Sequence, residues 1–464
     1  MSKLYVLGIG GTGARVLRSF TMLLAAGVEI GADEIVPIII DPDAANADLT
    51  RTVALMNHYR ALRASLTFAG GNPSTFFRKE LSRILANYTL RINDTDDKTF
   101  RHFIDLSSMD KPTQAMMRML FSDKNLSSSM DVGFKGNPNI GSVVLNQIVN
   151  SSDLQDFANN FEDGDKIFII SSIFGGTGAS GFPLLLKTLR TGTSFPNNDL
   201  INHAEIGAIT ILPYFKLKND DDSEIDSCTF ISKTKSALAY YEHNISRNGS
   251  INALYFLADD VTNTYENHEG GSAQRNDAHL IEFLAATALV DFSNKQHTDT
   301  IHKELGLKDL TGSATFADFY DYQKSLLYAP LTRFMLMANC LNDRFDYYSS
   351  KSFNANNDHF KGLYGSTFMA ELRELTRLFI EWLDEMKRNR RSLDLFNLHT
   401  GGKPFEVVTG VTPKKVVSLK SDYDLVTDRL NAAVRKCHSK EDYDKFLEMF
   451  FLGTSRLFNE KLNA

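Results

Sequence analysis

Cysteine is scarce. The 3 cysteines, Cys228, Cys340 and Cys437, lie far apart in the chain. That spacing excludes a disulfide framework and a CxxC metal knuckle. His203, His243 and His279 have no HxxxH partner, so no zinc site is expected. No apolar run reaches the ~18 residues that cross a bilayer. No GxxxxGK[ST] occurs, which disfavours a P-loop NTPase. Neither a Ser–His–Asp nor a Cys–His constellation follows from the spacing. Charge imbalance is small, 57 acidic against 50 basic residues for a net charge of −7. That mildly acidic balance argues against broad binding to nucleic acid or anionic membrane. Repeats and low-complexity segments are absent. With 43% apolar and 23% charged residues, wholesale disorder is excluded. Glycines end the short apolar run of MSKLYVLGIGGTG where a signal peptide would continue, so it reads as a buried strand. A soluble, cytoplasmic chain is expected.

At about 150 residues per domain, 464 residues allow two or three domains. The first part alternates strand and helix. Leu4–Gly8 and Glu34–Ile40 are continuous apolar strands flanking a helix, 14–26, that Gly27 stops. Helices are expected near 51–66, 74–88, 112–121 and 142–160, with Asn93–Lys98 a surface loop. Lys166–Ser172, Glu205–Leu212 and Ala253–Ala258 are further buried strands, with helices at 181–190 and 229–246. Asn276–Phe292 reads as one buried helix. Such alternation predicts an α/β doubly wound, mostly parallel sheet. After residue 325 the pattern turns helical: 326–348, 368–387, 421–437 and 440–461, with Phe405–Val408 and Lys415–Leu419 as a strand pair. The expected division is 1–292, including the core helix 276–292, and a mostly helical C-terminal α+β domain, 293–464, serving interaction or assembly.

Chemistry concentrates in two glycine loops. Gly8-Ile-Gly10-Gly11-Thr12-Gly13 fits GxGxxG between a strand and a helix. Glycine lets backbone approach a phosphate, and the helix N-terminus supplies N–H groups and positive potential. Asp41, ending the second strand, is placed to meet a ribose hydroxyl. Alone, this loop fits an NAD- or flavin-dependent Rossmann enzyme and a merely tight turn equally well. The second loop, Phe174-Gly175-Gly176-Thr177-Gly178-Ala-Ser180, also joins a buried strand to a helix. Two lysine-free cradles imply phosphates held by backbone N–H groups and helix dipoles; the bland alternative is two turns that bind nothing.

Four stretches in one order, Gly10–Gly13, Asp41-Pro-Asp-Ala44, Gly136-Asn-Pro-Asn-Ile-Gly141 and Gly175-Gly-Thr-Gly-Ala-Ser-Gly181, resemble the nucleotide loops of the tubulin/FtsZ superfamily. The resemblance covers about 1–292. It is closer to FtsZ-like and divergent bacterial tubulin-like proteins than to eukaryotic tubulin. It implies GTP or GDP with Mg²⁺. Gly10, Gly11, Thr12 and Gly13 would cradle the phosphates with Gly175, Gly176, Thr177 and Gly178. Gly136 and Asn137 would cover the terminal phosphate, and Asp43 would sit near the phosphates or the metal. Asn276 and Asp277, opening the core helix, would contact the base, although both residues also suit a helix N-cap. Arg15 stands where FtsZ-like proteins carry an asparagine. The family's NxDxxD catalytic loop is missing, and Asp318 and Asp321 are its nearest equivalents.

The resemblance further implies a GTPase assembling head to tail with itself, hydrolysis depending on the subunit contact. A heterologous contact that does not close gives a filament. The alternative is a slow or non-hydrolysing nucleotide-dependent scaffold whose C-terminal domain recruits a protein partner. Direct membrane insertion and nucleic-acid binding are not expected. Of the remaining features, Asp220–Glu224 reads as a solvated loop. Met109, Met116, Met117 and Met119 read as core filler. Lys387–Arg391 reads as a complement to a helix dipole, with a nucleic-acid patch the alternative. The stripe Phe368–Trp382 reads as core, with docking of a partner helix the alternative.

Overall fold

The computed structural model describes residues 2–43, 45–68, 76–92, 95, 97–130, 133–134, 136–218, 230–260, 263–265, 271–295, 307, 312–350, 360–415 and 420–463. Eight strands are described: β1 (Lys3–Ile9), β2 (Glu34–Ile40), β3 (Glu80–Leu81), β4 (Lys166–Ser172), β5 (Glu205–Ile211), β6 (Phe215–Leu217), β7 (Ala253–Leu257) and β8 (Asn263–Tyr265). The helices of eight residues or more are α1 (Gly10–Ala25), α2 (Ala47–Ala64), α3 (Lys111–Leu120), α4 (Pro138–Leu145), α5 (Ser152–Asn160), α6 (Gly176–Thr191), α7 (Phe230–Tyr241), α8 (Leu280–Asn294), α9 (Asp321–Asp343), α10 (Thr367–Arg388), α11 (Asp422–Val434) and α12 (Asp442–Leu457).

Six strands form one parallel sheet in the order β3-β2-β1-β4-β5-β7. β1, β2, β4 and β5 are buried along nearly their whole length, as a sheet covered on both faces requires. Pro37 is tolerated in β2 because the pairing with β3 covers only Glu34 and Ile35. On one face α1 packs against α2 and α8; on the other α6 packs against α4. The C-terminal helices close over the first layer. α10 packs on α2 and α9, and α12 on α9 and α11. The stripe Phe368, Leu372, Leu375, Phe379 and Trp382 is buried. Trp382 Nε1 donates to Ser19 Oγ on α1 at 3.2 Å, so the stripe is core.

Several expected boundaries are corrected. Residues 76–88 carry β3 and a short 3₁₀ turn at 86–88 rather than a helix, because Leu81 joins the sheet and Asn87 and Tyr88 adopt positive φ; residues 74 and 75 lie outside the described residues. The expected helix 142–160 is α4, a 3₁₀ turn and α5, divided where the Ser151 side chain caps α5. The core helix starts at Leu280 rather than Asn276. His279 Nδ1 accepts from Ile281 N at 3.0 Å while Glu282 accepts from His279 N at 3.1 Å, a closed capping box. Instead of a strand, Pro404–Val407 forms a 3₁₀ turn opened by proline, and Val408 makes one bridge to Phe396; residues 416–419 lie outside the described residues. On α3, Met116 (53% exposed) and Met119 (87%) are surface residues, not core filler. The 220–224 acidic run and Cys228 lie outside the described residues. Among the described residues no helix is long and apolar enough to cross a membrane.

Candidate functional site

The strand order reverses between β1 and β4, the switch point at whose carboxyl ends open α/β sheets bind ligands. Both glycine loops leave the sheet there. β1 ends at Ile9 and α1 begins at Gly10; β4 ends at Ser172 and α6 begins at Gly176. Gly10 holds φ +72°, a left-handed turn that aims the chain from strand to helix. A Cβ there would stand 3.6 Å from Thr177 Cβ, and one on Gly176 would stand 3.1 Å from the amide nitrogens of Gly136 and Asn137. The three loops therefore abut.

They enclose a cleft of about 980 Å³, part of it open to solvent, lined by Gly10, Gly11, Thr12, Asp41, Asp43, Gly136, Gly175, Gly176, Thr177, Gly178 and Asn276. Helices α1 and α6 open onto this cleft with no side-chain N-cap. Their first-turn N–H groups thus have no acceptor within their own helix. The helices capped by Asn46, Asn137 and His279 differ in this respect. Phe134, Phe174, Phe215, Leu217 and Phe230 supply an apolar side of the cleft.

Asp41 and Asp43 form its acidic wall. Asp41 Oδ1 accepts from Asp43 N at 3.1 Å; Asp43 accepts from Ala45 N at 3.2 Å and from Gly271 N at 2.6 Å. Burial pushes the Asp41 carboxyl up to about 7. Among the described residues no cluster of three metal-ligating side chains occurs. One or two carboxylates suit Mg²⁺ all the same, since that ion completes its shell with water and substrate phosphates.

Arg15 lines the floor of the cleft and belongs to a buried network. Its Nε donates to Glu282 at 2.5 Å, Nη1 to Asp48 at 2.9 Å, and Nη2 to Tyr214 Oη at 3.0 Å and Thr12 Oγ1 at 3.5 Å. Burial pulls the guanidinium down, but Tyr214, Glu282 and Asp48 outweigh it and hold Arg15 well above its ordinary value. Burial also pushes His279 down to about 3, which suits Nδ1 acting as the cap acceptor. A second buried network lies alongside. Glu385 on α10 receives Arg18, Arg51 and Ala278 N.

Of the expected residues, Gly13, Asn137 and Asp277 do not line the cleft, although the Asn137 amide abuts Gly176; Asp318 and Asp321, expected to act on the next subunit's nucleotide, are not part of its lining either. Gly13 packs against Gly8. Asn137 caps α4, accepting from Asn139 N at 3.2 Å. Asp277 stands 3.7 Å from Arg388. Asp318 accepts from Thr315 N at 2.7 Å and from Thr315 Oγ1 at 2.8 Å. Asp321 is the exposed first residue of α9. Sequence reasoning missed the aromatic side, Asn46, Gln274 and Lys233, whose Nζ donates to Gly136 O at 2.7 Å. Of these, only Asn46 had a local signal, as an N-cap before Ala47-Asp48.

No protein-family model matches the chain, and no curated protein does. Among solved structures, it is similar to CetZ from Methanosaeta thermophila strain DSM 6194, at 14% identity and a TM-score of 0.30, over 65% of this chain and 57% of that one. It is also similar to CetZ2 from Haloferax volcanii, a GTPγS-bound protofilament, at 12% identity and a TM-score of 0.30, over 63% of this chain and 58% of that one. The chain thus spans less than two thirds of the length of either structure.

Proposed function

We propose that this chain is a tubulin/FtsZ-like GTPase that holds GTP in the cleft and assembles head to tail. The observation that carries the reading is the convergence of two uncapped helix N-termini, α1 and α6, on one cleft at the switch point. In this reading the backbone N–H groups of Gly10–Thr12 and Gly176–Gly178 hold phosphate oxygens, Thr177 adds a hydroxyl, and Gly136 closes over the terminal group. Asp41 and Asp43 would hold Mg²⁺, which when bound offsets phosphate charge. Hydrolysis is in-line attack of water on the terminal phosphoryl group.

A carboxylate orienting that water would come from the next subunit. Asp321 suits such a role by position. Its neighbour Tyr322 packs under Lys295, 4.5 Å from ring centroid to Nζ, just beyond the end of α8. α8 begins beside the cleft and runs about 22 Å at 1.5 Å per residue, so Asp321 lies toward the opposite end. Calorimetric titration with GTP at millimolar Mg²⁺, with electron microscopy of the same sample, tests ligand and assembly together. No binding refutes the reading; binding without filaments removes the assembly half.

The capping of Thr315 by Asp318 favours a second reading, a scaffold that binds GTP but turns it over slowly while the C-terminal helices recruit a partner. Asp318→Ala and Asp321→Ala separate the two. Collapse of turnover supports the enzyme, and unchanged slow turnover supports the scaffold.

A further inference from the structure

We infer that α3 is a docking site for an acidic amphipathic helix of a partner protein. This helix stands apart from the nucleotide cleft, to whose lining it contributes no residue. It belongs to an excursion between β3 and α4 that is pinched at its neck. Thr99 and Ser129 form an antiparallel bridge, with Phe100 N donating to Ser128 O and Met130 N to Lys98 O, both at 2.9 Å. Within the excursion Phe100, Leu106, Phe121, Leu126 and Met130 are buried, and the rings of Phe100 and Phe121 meet edge to face at 4.8 Å. Apolar packing of its own makes the excursion a fixed platform for α3.

On that platform the helix is inside out. Its inward side carries Gln114, whose Nε2 donates to Met109 O at 2.8 Å and Ser107 O at 3.4 Å, and Met117, partly buried against the core. Asp110 caps the first turn, accepting from Thr113 N at 2.8 Å. Pro112, Ala115, Met116, Met119 and Leu120 are all exposed, Leu120 at 63%. Their spacing, i, i+3, i+4, i+7 and i+8, is that of one continuous helix face, and no residue of α3 is buried. A surface helix ordinarily turns such a stripe toward the core. Here it faces solvent, and its methionines, unbranched and polarizable, adapt readily to an incoming apolar surface.

The charges decide the occupant. Lys111 and Arg118, two helical turns apart and exposed, fall on one flank of the stripe. Among the described residues neither has an ion-pair partner, and the adjacent acid, Asp110, is committed to the cap. A partner helix with an apolar stripe and acids along one edge meets both features at once. A second copy of α3 does not, because antiparallel pairing about a two-fold axis sets like flank against like flank, cation on cation. Ten residues spanning about 15 Å also fall short of the roughly 800 Å² per partner of a standard interface between globular surfaces. Lipid is served less well: the side opposite the stripe, which should be charged and wet, is Gln114 bonded to the protein's own backbone.

The test is fluorescence anisotropy of the full chain with two labelled synthetic helical peptides that share a leucine stripe at i, i+3, i+4 and i+7. One carries glutamates along a single edge, the other lysines in their place. The glutamate peptide should bind, and the lysine peptide about tenfold more weakly, as two cations turn from attraction to repulsion. Lys111→Glu with Arg118→Glu should reverse that order. Met116→Gln with Met119→Gln should weaken the glutamate peptide about tenfold or more. The melting temperature should stay at the parent value, because both side chains are exposed before binding. Equal affinity for the two peptides, undiminished binding by the glutamine variant, or failure of both peptides to bind overturns the proposal. Sedimentation velocity of the chain alone and flotation with phosphatidylserine–phosphatidylcholine vesicles read the other occupants. A dimer or vesicle binding that the glutamine variant abolishes assigns the stripe to a second copy or to lipid, and overturns it too. None of these measurements contains nucleotide, so the outcome is independent of the GTP reading.

Discussion

Gly11 and Gly13 both sit in the first turn of α1, yet a methyl group added to each meets different surroundings. At Gly13 the new Cβ would lie 2.5 Å from Gly8 C and 2.8 Å from Gly8 Cα, all backbone, so α1 would have to lift off β1. Overpacking of this kind costs about 1–3 kcal/mol, more where backbone has to move. At Gly11 the nearest atoms are Arg15 Nη1 and Asn46 Nδ2, both at 3.7 Å, an ordinary van der Waals distance. Alanine there should stabilise the helix by roughly 0.4–1 kcal/mol through the unfolded chain. Gly11→Ala should therefore melt at or slightly above the parent temperature and Gly13→Ala clearly below it. Binding should move the other way for Gly11. Its methyl would sit on the lining of the cleft beside the proposed phosphate seat, and loss of one charge-assisted contact at about 1.5–3 kcal/mol weakens affinity roughly 10- to 100-fold. Thermal melts with and without GTP, paired with calorimetric titration, measure both effects. Parent-like affinity in Gly11→Ala would refute the phosphate seat. Parent-like stability in Gly13→Ala would refute the steric account of the strand–helix contact.

Three other perturbations read the buried charges. Asp41 in the nucleotide-free protein holds its proton up to about pH 7 rather than its ordinary 3.8 because of burial. The stability it contributes is therefore complete below about pH 4 and lost as pH rises through 7, up to about 4 kcal/mol at 1.36 per unit. Asp41→Asn should flatten the decline in melting temperature between pH 5 and 8; an unchanged slope would remove Asp41 as its source. Arg15→Met keeps volume but leaves Glu282 buried without its cation and Asp48 with only Arg51, at 3.9 Å, so unfolding free energy in urea should fall by about 3–5 kcal/mol. A fall below about 1 kcal/mol would mean that the network is not a structural anchor. Burial pushes Glu385 up, but Arg18 and Arg51 outweigh it and keep the carboxyl below its usual range. Glu385→Gln should cost a similar amount, and hydrogen exchange should show early opening of α10. Equal protection of α10 in both proteins would contradict the clamp.

The parts of the fold legible in sequence are those whose physics is local. β1, β2 and β4 are apolar because both sheet faces are covered, so their runs stand out without alternation. α10 was legible from its stripe. β3 was not, since two residues with a single buried leucine carry no period and the strand exists only because β2 has an open edge. The start of α8 was misplaced for a related reason. Asn276 and Asp277 are good caps by type, but the cap was decided by Glu282 reaching back to His279, and Asn276 was drawn instead to Asp48. Of the site, the glycine loops were visible because each follows its own strand. The contact from Asn46 to Gln274 joins residues 228 apart, and nothing in either neighbourhood announces it.

The charge arrangement narrows what this cleft can hold. Arg15 brings a cation to the floor, but Asp48 and Glu282 neutralise it at hydrogen-bond distance. Asp41 and Asp43 then leave the wall acidic. The attraction for an anion must come from backbone, about half a charge from each of α1 and α6, with Lys233 held at the rim through Gly136. About one positive charge of backbone origin cannot offset a triphosphate beside Asp43 and an Asp41 that loses its proton near pH 7. A dication shared between the acidic wall and the phosphates can, because it turns the carboxylates from repulsive neighbours into ligands. The acids on the wall, at odds with the ligand when considered singly, then become a reason for the ligand to arrive with its metal.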